Sequence, residues 1–452
     1  MKFLYKFAVC CFLAVVVSPT AFAQYTSSSF FMEQSWQSNM LNPASTPERG
    51  YVLIPIIGGT GISLGSNSLT VDKLFYADPN GGDGLVSFLD VDINKSSLLN
   101  SISSNNNLQT ELSTTIFGVG MYVKNVFWTF GMNLRVSGDV NIPKGLFEIA
   151  ALNQADGIYN LDNLSLNMQG YVETYVGASF KIGDKLSLGA KAKFLMGVLD
   201  MTACYDDLQV QLNDSQWSVS ADGYFNATAA GLSINDAIED FSLENIEYNP
   251  EFNISGYGLG FDFGANYDVL ENLTLSLSVL DLGFMSWGTS NSVSAISSSS
   301  YSFSGVTFTD EDGESSSEDL SIDDVLSFEE VASSSRTTSL RTTINAGVEY
   351  RFLKDKMAAG LLYSARFRYG YTQHEVTAVV SGRPCNWFTA NVSYNFIAGQ
   401  MGAAVNFHPK WINFFLGADY IPFSVTPQYI PTSSSYLNLY AGIGIPLGKR
   451  PE

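Results

Sequence analysis

Few residues in this chain have the types and spacing that chemistry needs. The only two histidines are His374 and His408. They fall on different stretches, and no Ser elbow or carboxylate spacing completes a triad around either. His374 begins one strand-like run and His408, before Pro409, ends another, so both read as interface or loop residues. Cys204 and Cys385 remain once Cys10 and Cys11 leave with the leader described below, and sequence alone does not say whether they pair. The sequence holds no metal-ligand cluster, phosphate loop or dinucleotide fingerprint. Gly256-x-Gly258-x-Gly260 sits inside a strand pattern and opens no helix, so it reads as close packing. Asp310-Glu311-Asp312-Gly313-Glu314 lacks the full spacing of a calcium loop and reads as a solvated charge run. The expectation is no catalytic residue, no cofactor and no metal.

The informative polar residues are charges placed opposite apolar stripes. They are Arg135, Glu173, Lys191, Lys193, Asp262, Arg341, Glu349, Arg351, Arg366, Arg368 and Asp419. If the apolar parity meets lipid, an ionisable group on that side at mid-depth costs about 2–4 kcal/mol, so these residues are expected to face an enclosed interior. Two readings stand. Mixed signs on neighbouring strands suit a salt-bridge network that fills a closed barrel. The same groups could also line a polar pathway or a ligand-binding interior.

The elements that position them are long amphipathic strands. In Asn253–Trp287, Tyr257, Leu259, Phe261, Phe263, Ala265, Tyr267 and Val269 share one parity. Gly258, Gly260, Asp262, Gly264, Asn266 and Asp268 share the other. After a turn at Glu271-Asn272, Leu273, Leu275, Leu277 and Val279 oppose Thr274, Ser276 and Ser278. A period of two puts each set on one face of a sheet. Strands this long, repeated down a chain, suit a bilayer-spanning barrel better than a soluble sandwich.

The same pattern recurs in Tyr51–Gly65, broken at Pro55 and Gly58-Gly59, and in Leu112–Lys124 with Val126–Gly138. It recurs again in Tyr171–Ile182 with Leu186–Gly197, across Gly183-Asp184-Lys185. Met201–Leu212 and Trp217–Thr228 read as a hairpin rising above a membrane. Leu340–Phe352, with Leu340 on the apolar side, Met357–Tyr369, Thr372–Val380, Phe388–Ile397, Met401–Phe407, Ile412–Tyr420 and Tyr436–Leu447 complete about 14 strands. The last must pair with the first to remove an open edge. Trp128, Phe127 and Tyr122 are expected in an aromatic girdle. Leu69–Phe75 reads as a strand or part of a loop. Short helices are expected near Leu85–Leu99 and Gly145–Leu152, the latter inside a loop Asn141–Met168. Leu232–Pro250 reads as an acidic connection with helical propensity. Gly288–Ser335, rich in Ser and acidic residues, reads as a mobile exposed loop.

An export leader opens the chain. Lys2 and Lys6 form its charged region, Phe7–Val17 its apolar core and Ala21-Phe22-Ala23 its cleavage site. No Cys follows that site, so nothing suggests a lipoprotein. The formal net charge is −21, and two units more negative once Lys2 and Lys6 depart. That excludes nucleic acid as a natural partner, since phosphate contacts need a basic surface. Mean hydropathy of +0.08 with 13% aromatics and 39 Gly fits strands that are half apolar and half polar. The expected parts are a leader (1–23), a polar N-terminal segment (24–50) and an all-β, antiparallel transmembrane barrel (51–448). The barrel carries an acidic loop (288–335), and a tail (449–452) follows it. The 24–50 segment is either a simple turn around Asn42-Pro43-Ala44 or a small plug folded into the barrel, with Phe30, Phe31 and Trp36 as anchors.

Met40-Leu41-Asn42-Pro43-Ala44, Gly189–Gly197 (GAKAKFLMG) and Leu280–Gly288 (LDLGFMSWG) resemble an uncharacterised family of outer-membrane barrels from Bacteroidota. That family is distantly similar to the FadL-type long-chain fatty-acid transporters and to barrel components of type IX secretion. The resemblance implies a 14-stranded barrel plugged by its N-terminal segment, with Asn42, Pro43 and Ala44 in the plug. In FadL-type proteins apolar ligands enter an extracellular pocket and leave through the wall. The acidic loop and the tail, Gly448–Glu452, depart from the usual pattern, so ligand chemistry does not carry over. The expectation is an outer-membrane barrel, surrounded by lipid, for passive uptake of small hydrophobic compounds. The alternatives are a non-transporting docking barrel with a surface or secretion partner and, disfavoured, an outer-membrane enzyme.

Overall fold

The computed structural model describes residues 27–32, 35–77, 85–90, 92–152, 157–213, 217–234, 246–248, 253–303, 328–421 and 436–449 of the 452-residue chain. The expected leader, the acidic run with Asp310–Glu314 and residues 450–452 lie outside the described residues. Fourteen antiparallel strands close a barrel. They are β1 (Arg49–Leu53 and Thr60–Ser66), β2 (Asn105–Val123), β3 (Val126–Pro143), β4 (Leu164–Ile182) and β5 (Leu186–Leu212). Next come β6 (Gly256–Leu270), β7 (Leu273–Trp287), β8 (Arg336–Ser339 and Thr343–Phe352), β9 (Met357–Arg368) and β10 (Tyr371–Cys385). The series ends with β11 (Phe388–Asn395), β12 (Gln400–Phe407), β13 (Asn413–Ile421) and β14 (Tyr436–Lys449). Closure runs through β1, which pairs with β14 at Val52↔Ile445 and Ile62↔Leu439 and with β2 at Val52↔Val119. Full closure leaves no strand edge unpaired around the wall.

Alternation decides which side chains point where. Leu259, Phe261, Phe263, Leu275 and Leu277 stand exposed on the outer surface, while Asp262 and Ser278 are buried inside. Short turns such as Lys124-Asn125 and Glu271-Asn272 gather at one end of the barrel, and the long connections gather at the other. The wall is uneven in height. β5 runs for 27 residues, whereas β11 and β12 have 8 each. The turn between those two short strands carries Phe396 and Ile397, exposed at 58% and 61%.

Above the barrel the far half of β5 pairs with the strand Trp217–Ala229, which pairs in turn with Ser292–Phe303. Leu208, Phe225, Val293, Ala295 and Phe328 are buried together beneath this raised sheet. Part of the stretch expected to be a mobile loop is therefore strand. Its run of serines masks an alternation in which Val293 and Ala295 face a core.

The structure corrects other expectations. Segment 24–50 contains a helix, α1 (Trp36–Leu41), capped by the Ser35 hydroxyl, which accepts from the Gln37 amide. Val71–Leu74 is a helical turn leading into a short strand, Phe75–Ala77. The helix expected near Leu85–Leu99 is shorter and later, Lys95–Ser101, after a strand Leu85–Ser87. β3 and β4 take in only the ends of the expected loop Asn141–Met168, reaching Pro143 and starting at Leu164. Within Leu232–Pro250 the described residues form a small hairpin rather than helix. Of the expected girdle, Trp128 faces outward, but Phe127 is buried and packs on Tyr51 and Tyr122. Leu340 is buried rather than lipid-side, because β8 breaks between Ser339 and Thr343.

Candidate functional site in the barrel lumen

Residues 27–32 and 35–47 lie inside the barrel, across the half nearer the short turns. Trp36 packs against Tyr51, Phe415 and Tyr440 of the wall. The wall also grips the segment by its backbone. Lys191 Nζ donates to the Asn39 carbonyl at 2.8 Å, Ser278 Oγ to that of Leu41 at 2.8 Å, and Ser179 Oγ to that of Pro43 at 2.6 Å. Asn42 Oδ1 accepts from the Ala44 amide, and Asn42 Nδ2 donates to Asn266 Oδ1. Two wall glycines make room. A Cβ on Gly189 would lie 2.2 Å from the Pro43 carbonyl oxygen, and one on Gly264 would lie 2.1 Å from Asn42 Oδ1.

Next to the segment lies a layer of ion pairs. Lys193 Nζ is 2.8 Å from Asp262, 2.5 Å from Asp281 and 3.7 Å from Glu173. Arg135 Nη1 reaches Asp281 at 2.8 Å and Glu173 at 3.1 Å, and Asn133 donates to Glu173 at 2.7 Å. All these groups are buried, so each charge depends on its partners and hydrogen bonds. Further toward the long loops, Asp139 accepts from Arg341 at 2.9 Å and from Arg368 at 2.8 Å. Arg368 also pairs with Glu111, and Arg366 lies 3.8 Å from Glu375. Between the two charged groups is a cavity of about 30 Å³ lined by Arg135, Tyr171, Asp281, Arg341, Arg366 and Arg368, among others. It is lined by charged side chains along with apolar ones and is large enough for a water. Beside it, and still inside, Tyr171, Leu195, Met285, Trp287 and Leu340 form a buried apolar cluster.

The charges singled out in the sequence thus fall into several places. Arg135, Glu173, Lys193 and Asp262 share the ion-pair layer, and Arg341, Arg366 and Arg368 belong to the group beyond it. Lys191 serves the N-terminal segment and lies 5.4 Å from the Tyr175 ring. Asp419 is buried on the opposite wall, accepting from the Ser28 amide at 3.2 Å. Glu349 is buried on the inner face nearer the short turns. Arg351 sits at the short-turn rim, donating to the Glu271 carbonyl at 3.1 Å. His374 faces outward, 2.9 Å from the Tyr363 hydroxyl, and His408 lies 3.5 Å from Thr389. Cys204 and Cys385 are both free thiols.

Sequence reasoning missed Glu111, Asp139, Asp281, Glu375 and the whole apolar cluster. Asp139 shares the parity of Arg135, so extending β3 by one residue would have found it. Asp281 sits at a bulge with φ of +56°, where β6 and β7 slip register between Phe261 and Phe263. An inserted residue reverses the parity beyond it, which is why Met285 and Trp287 turn inward while Phe284 stays outside.

A closed 14-stranded barrel with a chain segment seated in its lumen is the class of protein these features define. The chain belongs to a family of unknown function, DUF5723, whose pattern matches residues 43–419. No curated protein matches it. Among solved structures it is similar to the TodX monoaromatic hydrocarbon channel deltaS2 mutant, with 10% identity and a TM-score of 0.43 over 92% of this chain and 95% of that one. The Ralstonia pickettii toluene transporter TbuX gives 10% identity and 0.42 over 92% and 94%. A Pseudomonas aeruginosa FadL homologue gives 11% and 0.39 over 92% and 94%. These likenesses are too distant to add to the strand pairing given above.

Proposed function

We propose that this is an outer-membrane barrel that passively admits small hydrophobic compounds, with the described residues 27–32 and 35–47 as its plug. The exterior supports the membrane reading, since large apolar side chains cover it while the charges are turned inward. In bacterial barrels the short turns face the periplasm, so the plug enters from that side. The observation that carries the transport reading is the apolar cluster of Tyr171, Leu195, Met285, Trp287 and Leu340 directly beside an arginine-lined polar cavity, inside a closed wall. A compound with an apolar body would rest on the cluster and turn any polar end toward the arginines. Passage then requires the plug to shift. Its hold on the wall combines hydrogen bonds, worth about 0.5–1.5 kcal/mol each between neutral groups, with the buried apolar contacts of Phe30, Phe31, Met32, Trp36, Met40 and Leu41.

The test is uptake of N-phenylnaphthylamine into cells or vesicles carrying the protein. Uptake should exceed that of empty controls, and Trp287→Arg should lower it at least tenfold. Equal uptake with and without the protein would overturn the reading. A docking barrel is the second reading, favoured by the raised sheet with its own core at Leu208, Phe225 and Phe328. It requires a partner that co-purifies stoichiometrically and is lost when that core is disrupted.

A further inference from the structure

Charge is distributed unevenly around the short-turn end of the barrel. Three turns stand side by side there: 353–356 between β8 and β9, 386–387 between β10 and β11, and 408–412 between β12 and β13. Backbone bonds tie them together. The Arg383 amide donates to the Lys356 carbonyl at 2.8 Å, and the His408 amide to that of Trp387 at 2.8 Å. Arg49, at the start of β1, donates through Nη1 to the Lys410 carbonyl at 3.1 Å. Lys354, Lys356 and Lys410 are exposed, and Arg49 and Arg383 are half-buried. These five cations have two acids among them, Glu48 and Asp355, and Asp355 lies 4.0 Å from Arg351. The rest of the rim is balanced. Lys181 and Arg351 each lie 3.8 Å from Asp268, and Lys185 follows Asp184. On a chain of formal net charge −21, a local surplus of cations is not background composition.

Two exposed indoles stand among these cations, Trp387 at 49% and Trp411 at 70% exposure. Trp387 packs edge-on against Phe407, with ring centroids 5.3 Å apart. Along the same strands Val380, Val392, Leu416 and Ile445 are exposed on the outer surface. Indoles settle where hydrocarbon gives way to headgroups, which puts the neighbouring cations at phosphate depth. Clustered Lys and Arg at that depth attract anionic headgroups. We infer that this sector of the rim binds the headgroup of an anionic phospholipid, its phosphate on Lys356, Arg383 and Lys410 and its glycerol region against Trp387 and Trp411. A zwitterionic headgroup brings its own ammonium to the cations and gains less. A soluble acidic partner would match the cations but has no use for two indoles bordering an apolar wall. The inference rests on the membrane half of the proposed function and not on transport.

The experiment is tryptophan quenching in phosphatidylcholine vesicles doped with a minor fraction of brominated phosphatidylglycerol or, in parallel, of brominated phosphatidylcholine. One variant, Trp128→Phe, keeps Trp387 and Trp411. The other, Trp387→Phe/Trp411→Phe, keeps Trp128, which is exposed on β3 across the barrel. The first should be quenched at least twofold more by the brominated phosphatidylglycerol, and the second equally by both lipids. Lys356→Gln/Lys410→Gln, added to the first variant, should remove the preference, and Lys181→Gln should leave it. If the double substitution prevents insertion, Lys410→Gln alone should still reduce the preference. Equal quenching of the first variant by the two lipids, or a preference that survives loss of both lysines, overturns the site. So does an acidic protein that co-purifies and is released by Lys410→Gln. Vesicles made wholly of brominated phosphatidylcholine should quench both variants. No quenching there would overturn the membrane reading and this site with it, whereas quenching without lipid preference overturns the site alone.

Discussion

Lys193 stands within ion-pair reach of three carboxylates, sharing two of them with Arg135, and no exposed pair among the described residues has that leverage. Replacing it by Met would leave Glu173 and Asp281 to Arg135, and Asp262 to the Asp281 amide that donates to it at 2.8 Å, all in a buried site. Removing one partner of a buried pair costs about 3–5 kcal/mol. Lys193→Met should therefore lower the urea midpoint for barrel unfolding, read by heat-modifiable gel mobility. Arg351→Gln, at the rim, should change stability by less than about 1 kcal/mol. A third residue reports on the raised sheet. Burial, with Asp206 beside it, pushes the Cys204 thiol up to about 12. The reactive thiolate is then scarce until the pH approaches that value. Cys204 should resist iodoacetamide at pH 8.5 in the folded protein and react in urea; labelling of the native protein would contradict the burial.

At the level of elements, the plug and the wall are fitted to each other. Gly264→Val would drive a side chain into Asn42 and the Ala44 backbone, and overpacking of this kind costs about 1–3 kcal/mol. The barrel should stay heat-modifiable while proteinase K trims residues 27–47, which the parent protein protects. Protection unchanged by the substitution would place the segment elsewhere. How much of this was legible in the sequence depends on what each element advertises. The strands announce themselves by alternation, because lipid-side residues such as Leu275 and Leu277 and inner residues such as Ser276 and Ser278 differ in kind. The bulge at Asp281 does not announce itself. One inserted residue leaves the composition untouched while turning Met285 and Trp287 inward, so the apolar cluster was invisible. Helix α1 was hidden for a different reason. Its six residues bury polar Gln37, Ser38 and Asn39 along with Trp36, so no amphipathic face marks it. Ser292–Phe303 was hidden by its serines, which pair along the raised sheet in spite of a composition that suits a loop.

For the molecule as a whole, the outer surface is the prediction most directly open to test. Leu277 stands on it, 51% exposed, with Ser278 beside it facing in. Leu277→Arg should weaken folding into vesicles by about 2–4 kcal/mol. A negligible effect would argue that this face does not meet hydrocarbon. The uneven wall has its own consequence for the surroundings. Eight tilted residues of β11 or β12 rise only about 20 Å, against a hydrocarbon thickness of about 30 Å. On that flank acyl chains must compress or tilt to cover the stubby staves, with Phe396 and Ile397 dipping among them. Next to the tall staves of β2 to β5 no such compression is needed. The protein would therefore sit within an annulus of unequal thickness, drawing shorter-chained lipid to one side and setting the azimuth from which any neighbour approaches.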